Sequence, residues 1–320
     1  STSIAISHSA RELGLEVTGW DKDPQASGSP YVDQQIVQST HATFAEVDLA
    51  GIAPQGVICS SSSVDAFELA HALSKRLHVT GPDADWEALR DKWLLAGTLG
   101  DLGPQTSLDP RWRASSSTIC KPRFASGLAA SGAVNEPCVC QELVSGPEFF
   151  VGGISTGSDP RPNVIVRKFV TRSATSLKHV YSGKVISRSN TGLELSSGST
   201  EDDERLTRAW LEARKRLRAT NLFLGLDCVL SDRRAMPFVI DAGPMWDMGM
   251  EHLIPVAGID LPSDLVKSIV GIKVESKNCR ASALSAGGSV QMSVGVEKVP
   301  GGQRFNELVV VRTLEVSSRP

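Results

Sequence analysis

The chain lacks several features that would settle its class at once. None of its apolar runs reaches the roughly 20 residues that a bilayer demands. Its first residues show neither the basic start nor the apolar core of a secretory signal. Neither charge dominates: 33 Lys and Arg stand against 36 Asp and Glu, a formal net charge of -3. Nucleic-acid binding through phosphates needs a basic face, and no basic run is present to build one. Cysteine and histidine are scarce, six of each, and no Cys/His pair stands at zinc-ligand spacing beside Cys138 and Cys140, which share one face of a strand-like run. The cysteines (Cys59, Cys120, Cys138, Cys140, Cys228 and Cys279) mostly lie inside apolar runs, as small buried hydrophobes do. The expectation is a reduced, cytoplasmic protein with no membrane and no nucleic-acid partner.

What is present is enough chain, 320 residues that are 41% hydrophobic, for two to three structural units with a sizeable core. The first eighty residues alternate in pattern. Residues 4–13 carry helical spacing and stop at Gly14, and residues 15–20 read as a strand ending in Asp21-Lys22-Asp23-Pro24. Residues 56–59 are a second short apolar run followed by a serine turn. Residues 64–77 are helical with Phe67, Leu69, Ala70, Leu73 and Leu77 on or near one stripe, and 78–80 make a third strand closed by Gly81-Pro82. Such alternation predicts a parallel sheet with covering helices, a Rossmann-like unit. Units of that kind open on a buried strand, so a strand and glycine turn are expected ahead of Ser1. Asp21 and Asp23 either hold a ribose, as in dinucleotide folds, or solvate the turn before Pro24.

Residues 83–103 form a helical hairpin-like segment, capped by Asp83 or Asp85 and closed by Gly103-Pro104. Within it, Asp91-Lys92 alone reads as a solvated surface pair. Then comes Thr118-Ile119-Cys120-Lys121-Pro122, a strand ending in an ammonium, followed by a small-residue turn at 123–127 that lets backbone N–H groups approach a phosphate. A second strand, Val139-Cys140-Gln141-Glu142-Leu143-Val144, breaks at Ser145-Gly146-Pro147 and resumes at Glu148; together these make a plausible nucleotide cradle. Residues 164–188 are a cation-rich strand pair, and 200–219 the clearest helix, with Thr200 as its cap and charges opposing its dipole at both ends. Asp227 sits in an apolar run and Asp241 ends the next one, joined by a polar turn. A carboxylate so placed is costly unless paired or metal-bound, so the hairpin either presents both acids to magnesium or holds two salt-bridged acids. Beyond residue 272, alternation and Pro300-Gly301-Gly302 predict a small antiparallel unit.

In order as well as in residue type, several motifs resemble the ATP-grasp superfamily of carboxylate-amine ligases. They are Asp91-Lys92, Leu102-Gly103-Pro104-Gln105-Thr106, Lys121-Pro122, Gln141-Glu142-Leu143-Val144 with Gly146-Pro147-Glu148-Phe149-Phe150-Val151, Leu224-Gly225-Leu226-Asp227, Phe238-Val239-Ile240-Asp241, and Gly258-Ile259-Asp260-Leu261-Pro262. The resemblance spans residues 4–271. It implies an α/β chain: a Rossmann-like pre-ATP-grasp domain at 1–84, a connecting helical segment at 85–117, a lid subdomain at 118–165, a metal and substrate subdomain at 166–271, and a β-rich C-terminal segment at 272–320. It implies ATP and magnesium as cofactors and small-molecule carboxylate and amine substrates, an amino acid or small carboxylic acid among them. These would be joined through an acyl phosphate with release of ADP and phosphate. By resemblance, Lys92 and Lys121 hold the phosphates, Gln141, Glu142 and Val144 form the adenine hinge, and Glu148 accepts from the ribose. Asp227 and Asp241 hold magnesium, and Arg167 or Arg188 steadies the acyl phosphate; His179-Val180-Tyr181 is a weaker substrate candidate. A homodimer is an assembly the family admits.

The chain also departs from the family. Only residues 123–140 separate the Lys-Pro strand from the hinge, where the family has a longer loop and a whole helix. Either the connection is naturally short or a glycine-rich lid is missing from this sequence, and the second is the expectation. After Asp241 the family's magnesium-binding Asn and phosphate-binding Arg are replaced by Gly243 and Met245. A weakly held second metal, substitution by Asp247, or loss of activity would each account for that. Two further readings therefore stand beside the ligase: a non-catalytic or regulatory ATP-binding relic, and, on the N-terminal unit alone, a nicotinamide-dependent dehydrogenase.

Overall fold

A computed structural model of the chain describes residues 2–21, 23–26, 28–38, 53–61, 64–109, 111–112, 117–124, 137–156, 160, 162–172, 179–185, 188–189, 192–193, 199–232, 234–244, 260–272, 288–292, 297–299, 302–304 and 312–315. The expected small-residue phosphate turn beyond Phe124, Met245, Asp247 and the Gly258-Ile259 motif lie outside the described residues.

At the N-terminus, α1 (Thr2–Glu12) turns Ile6 and Ala10 onto Leu265, Val266 and Ile269 of the helix Leu261–Ile269, so the first and last helices share one core. Strands β1 (Thr18–Asp21) and β2 (Gln34–Val37) pair in parallel, and Gly56 bridges Thr80 in parallel on either side of α2 (Val64–Leu77). The alternation in the sequence thus gives the α/β arrangement it predicts. The segment expected as one helical hairpin is two short helices, α3 (Trp86–Arg90) and α4 (Lys92–Leu99). Asp85 caps the first through the Ala88 N–H. Asp91 both ends it and caps the second.

Two sheets follow. Strands β3 (Thr106–Ser107), β4 (Thr118–Pro122) and β5 (Cys138–Glu142) form a small antiparallel sheet in the order β3-β5-β4. After β5 the chain leaves this sheet. Strands β6 (Glu148–Ile154), β7 (Val164–Arg172) and β8 (His179–Val185) enter a larger one, and β9 (Arg188–Ser189) and β10 (Gly192–Leu193) pair separately. Helix α5 (Thr200–Arg216) precedes β11 (Phe223–Val229) and β12 (Phe238–Gly243). The C-terminal strands are β13 (Gly288–Met292), β14 (Glu297–Val299), β15 (Gly302–Arg304) and β16 (Arg312–Glu315). The large sheet runs β12-β11-β6-β7-β8-β13-β16, so two C-terminal strands extend its far edge.

Helix α5 covers one face of that sheet. Its Leu206, Ala209, Trp210 and Ala213 recur at helical spacing and are all fully buried, against Phe149 and Val151 of β6 and Leu224, Leu226 and Cys228 of β11. The N-cap is Ser199 rather than the expected Thr200: the Ser199 hydroxyl accepts the Asp202 N–H at 3.4 Å. Strand alternation sends Glu148, Phe150, Asp227 and Asp241 to the opposite face, and the register aligns Asp227 with Phe150 on one side and Asp241 on the other.

One expectation is overturned. Cys120 and Cys140 are not reduced thiols but a disulfide, with a Cα–Cα separation of 4.2 Å. They are opposed in the β4–β5 register, a long-range pairing that composition and spacing along the chain do not reveal. Cys59, Cys138 and Cys228 are free, as expected, and burial pushes the Cys59 thiol up to about 12. Among the described residues no helix is long and apolar enough to cross a membrane.

Candidate functional site

The site forms where the small sheet meets β12 and α4. Between β5 and β6 the chain turns through Val144, which is buried, and Gly146 at φ +152°. A Cβ on Gly146 would stand 1.8 Å from the Leu230 carbonyl oxygen, so only glycine lets the turn press against the end of β11. The Leu230 N–H in turn donates to the Pro147 carbonyl at 3.0 Å. Glu148 is thereby delivered to the first position of β6, opposite Val229.

Two lysines reach this junction from separate elements. Lys92 is the first residue of α4, and its Nζ lies 3.8 Å from Asp241 Oδ2. Lys121, on β4, donates from Nζ to the Ile240 carbonyl at 2.8 Å. That acceptor has a local cause. The β11–β12 register pairs Asp227 with Asp241 but Cys228 with Val239, so Ile240 is bulged out of the ladder and its carbonyl is turned to the lysine. Burial pushes the Lys121 ammonium's pKa down; Asp241 opposes the shift most, Lys92 adds to it, and Asp227 and Glu148 also oppose it. All of these charges therefore share one electrostatic neighbourhood. Lys92, Lys121, Gln141 and Asp241 line a single cleft floored by Leu95 and Val139. A larger hollow of about 430 Å³ beside Lys75, His78 and Asn221 contains none of these residues, and the chemistry argues for the smaller one.

Asp227 and Asp241 stand directly opposed on one face of the hairpin. Two like charges in that relation repel unless a cation lies between or near them. A pair of hard carboxylate oxygens suits magnesium, which commonly takes one or two carboxylates and completes its shell with phosphates and water. Among the described residues no three His, Cys, Asp or Glu side chains gather as a metal cluster.

The other expected residues are placed as follows. Gln141 stands opposite Ile119 and Thr106 in the small sheet, and Glu142 opposite Thr118, its N–H donating to the Gln105 carbonyl at 2.8 Å. Arg167 is opposite Phe149 in the β6–β7 register, while its neighbour Lys168 is the residue aligned with Glu148. Arg188 pairs with Leu193 in the separate β9–β10 ladder. At the N-terminal unit, Asp21 accepts the Asp23 N–H and Asp23 accepts the Gln25 N–H, both at hydrogen-bonding distance. Those carboxylates serve the turn before and after Pro24, which is the plainer of their two readings.

Sequence reasoning missed the groups that hold α4. Asp91, which alone reads as a solvated acid, has a side chain only 8% exposed and accepts from Nε and Nη2 of the Arg123 guanidinium. The Arg123 hydrogen bonds hold its carboxyl below the usual carboxylate range against the opposing effect of burial. At the other end, Arg216 donates to the Leu99 carbonyl and Arg234 to those of Asp101 and Leu102, satisfying acceptors that a helix terminus leaves open. An arginine directly after a Lys-Pro pair was the available signal for the first of these contacts.

No family model and no curated protein matches the sequence. The structure, by contrast, is similar to solved structures over most of its length. N5-carboxyaminoimidazole ribonucleotide synthetase from Thermus thermophilus matches at a TM-score of 0.66 and 14% identity, over 93% of this chain and 82% of that one. The same synthetase from Staphylococcus aureus, complexed with ADP, matches at 0.66 and 9%, over 92% and 79%. An L-amino acid ligase from Bacillus licheniformis matches at 0.65 and 15%, over 92% and 79%. At such identities the likeness establishes the fold.

Proposed function

We propose, from a chain whose fold is that of the ATP-grasp superfamily, that it is an ATP-dependent ligase joining a small carboxylate to an amine. The observation that carries the reading is the convergence of Lys92 and Lys121, from α4 and β4, on the Asp241 end of β12, within the field of Asp227 and Glu148. A polyphosphate needs cations at fixed positions and acids for its metal, and the two lysines beside Asp241 and Asp227 support that reading.

In the proposed reaction a carboxylate oxygen of the substrate attacks the γ-phosphorus of ATP. The bond to the β–γ bridging oxygen breaks and ADP leaves with that electron pair. An amine then attacks the acyl carbon, phosphate departs, and the amine proton passes to solvent. Lys92 and Lys121 hold negative charge on the phosphate oxygens as it shifts. Glu148 accepts from the ribose hydroxyls, and Gln141, Glu142 and Val144 frame the base. Asp227 and Asp241 would hold magnesium, which neutralises phosphate charge when bound. Arg167 and Arg188 are proposed to steady the acyl phosphate on the strength of the family pattern alone. The substrate is proposed to be an amino acid or another small carboxylic acid, since one of the similar structures is an amino acid ligase.

A second reading has one observation in its favour. Gly243, where the family carries a further metal ligand, has no side chain to offer, and the described residues supply no third acid. The missing side chain at Gly243 favours an ATP-binding relic. Incubation with magnesium, ATP and pools of amino acids and amines separates the two by phosphate release. Substrate-dependent ADP and phosphate in equal amounts are expected. ATP binding without release across broad pools would instead establish the relic.

A further inference from the structure

The ion pair between Asp91 and Arg123 connects the two lysines of the cleft through the backbone. Asp91 immediately precedes Lys92, and Arg123 follows Lys121 by two residues, just past the end of β4. Asp91 Oδ1 accepts the Trp93 N–H at 2.9 Å as the cap of α4 and the Arg123 Nε–H at 2.8 Å; Oδ2 accepts from Arg123 Nη2 at 2.6 Å. The backbone closes the loop: the Lys92 N–H donates to the Arg123 carbonyl at 3.0 Å, and the Arg123 N–H donates to the Pro137 carbonyl at 2.8 Å.

We propose that Asp91 and Arg123 are positioning residues, a clamp that fixes the relative placement of Lys92 and Lys121 for a polyphosphate; this rests on the nucleotide reading given above. A planar guanidinium held by both carboxylate oxygens admits little rotation, unlike a single ammonium contact. The lysine side chains are long and adaptable, and this pair ties together the two backbone segments that carry them. A displacement of about 1 Å between groups that act together costs on the order of 100-fold in effect. Apart from the clamp, α4 meets the chain after β4 through one backbone hydrogen bond, from the Lys92 N–H to the Arg123 carbonyl, which by itself does not fix the lysine spacing.

The test compares Asp91→Asn, which keeps a good helix cap but loses the ion pair, with Arg123→Lys, which keeps the charge but loses the fork. For each folded variant, dissociation constants for magnesium-ATP and for adenosine are measured by competition against a fluorescent nucleotide. The expected result is ATP affinity weakened about tenfold or more with adenosine affinity moved less than about twofold, and Arg123→Lys milder than Asp91→Asn. Equal shifts for both ligands, or no shift for either, would assign the pair to the fold and overturn the clamp. Loss of folding in both variants would do the same. A wild-type chain that binds neither ligand would overturn the nucleotide reading itself, an outcome distinct from failure of the clamp.

Discussion

Replacing Asp241 with alanine is expected to abolish phosphate release, by about 10³-fold or more, as loss of a principal electrostatic group does, while the protein stays folded. The separation of the two effects follows from where Asp241 sits. Its carboxylate faces Asp227 across the β11–β12 pair, so removing it relieves a like-charge contact. Lys92, whose ammonium lies 3.8 Å away, loses a partner at the same time. These changes oppose one another, and the melting midpoint is expected to move by no more than about 3 °C. Phosphate release in the presence of a productive substrate pool and a thermal melt measure the two quantities. Undiminished turnover would remove Asp241 from the site, and collapse of the melt would make it a structural acid.

Replacing Trp210 with alanine should do the reverse. Trp210 is fully buried under the large sheet, and its indole N–H donates to the Leu224 carbonyl at 3.0 Å. Emptying that volume is expected to cost about 3–5 kcal/mol, a large part of the roughly 5–15 kcal/mol that holds a typical protein folded. Trp210→Phe retains most of the volume and forfeits the hydrogen bond, at a cost of about 1 kcal/mol. Denaturant unfolding of the three proteins gives the order wild type, Phe, Ala. An alanine variant as stable as wild type would show that α5 is not a principal cover of the sheet.

The contrast between these two sites explains what could be read from the sequence. The helix that carries Trp210 was legible from its cap and terminal charges, and the spacing of Leu206, Ala209, Trp210 and Ala213 along it accounts for their burial. Lys92, Lys121 and the two aspartates stand out as an ordered series of motifs; Lys92, Lys121 and Asp241 line one cleft, and Asp227 acts on the Lys121 ammonium. What stayed hidden depends on register. The Cys120–Cys140 bridge exists because β4 and β5 align those two positions. The bulge at Ile240, which gives Lys121 its acceptor, is a shift in pairing between β11 and β12. Asp91 looked like a surface acid because its partner, Arg123, is 32 residues away in sequence. Each of these requires knowing which strand or helix lies beside which, and composition carries no such information.

The central claim is that this cleft holds a nucleotide through its phosphates. Calorimetric titration of the intact chain with ATP, in the presence of magnesium and then with Lys121→Ala, tests it most directly. Saturable binding to the wild-type chain at one site is expected, with binding weakened at least about tenfold in the variant, the order that follows loss of a charged contact. Absence of binding to the folded wild-type chain, or equal binding by both proteins, would contradict it.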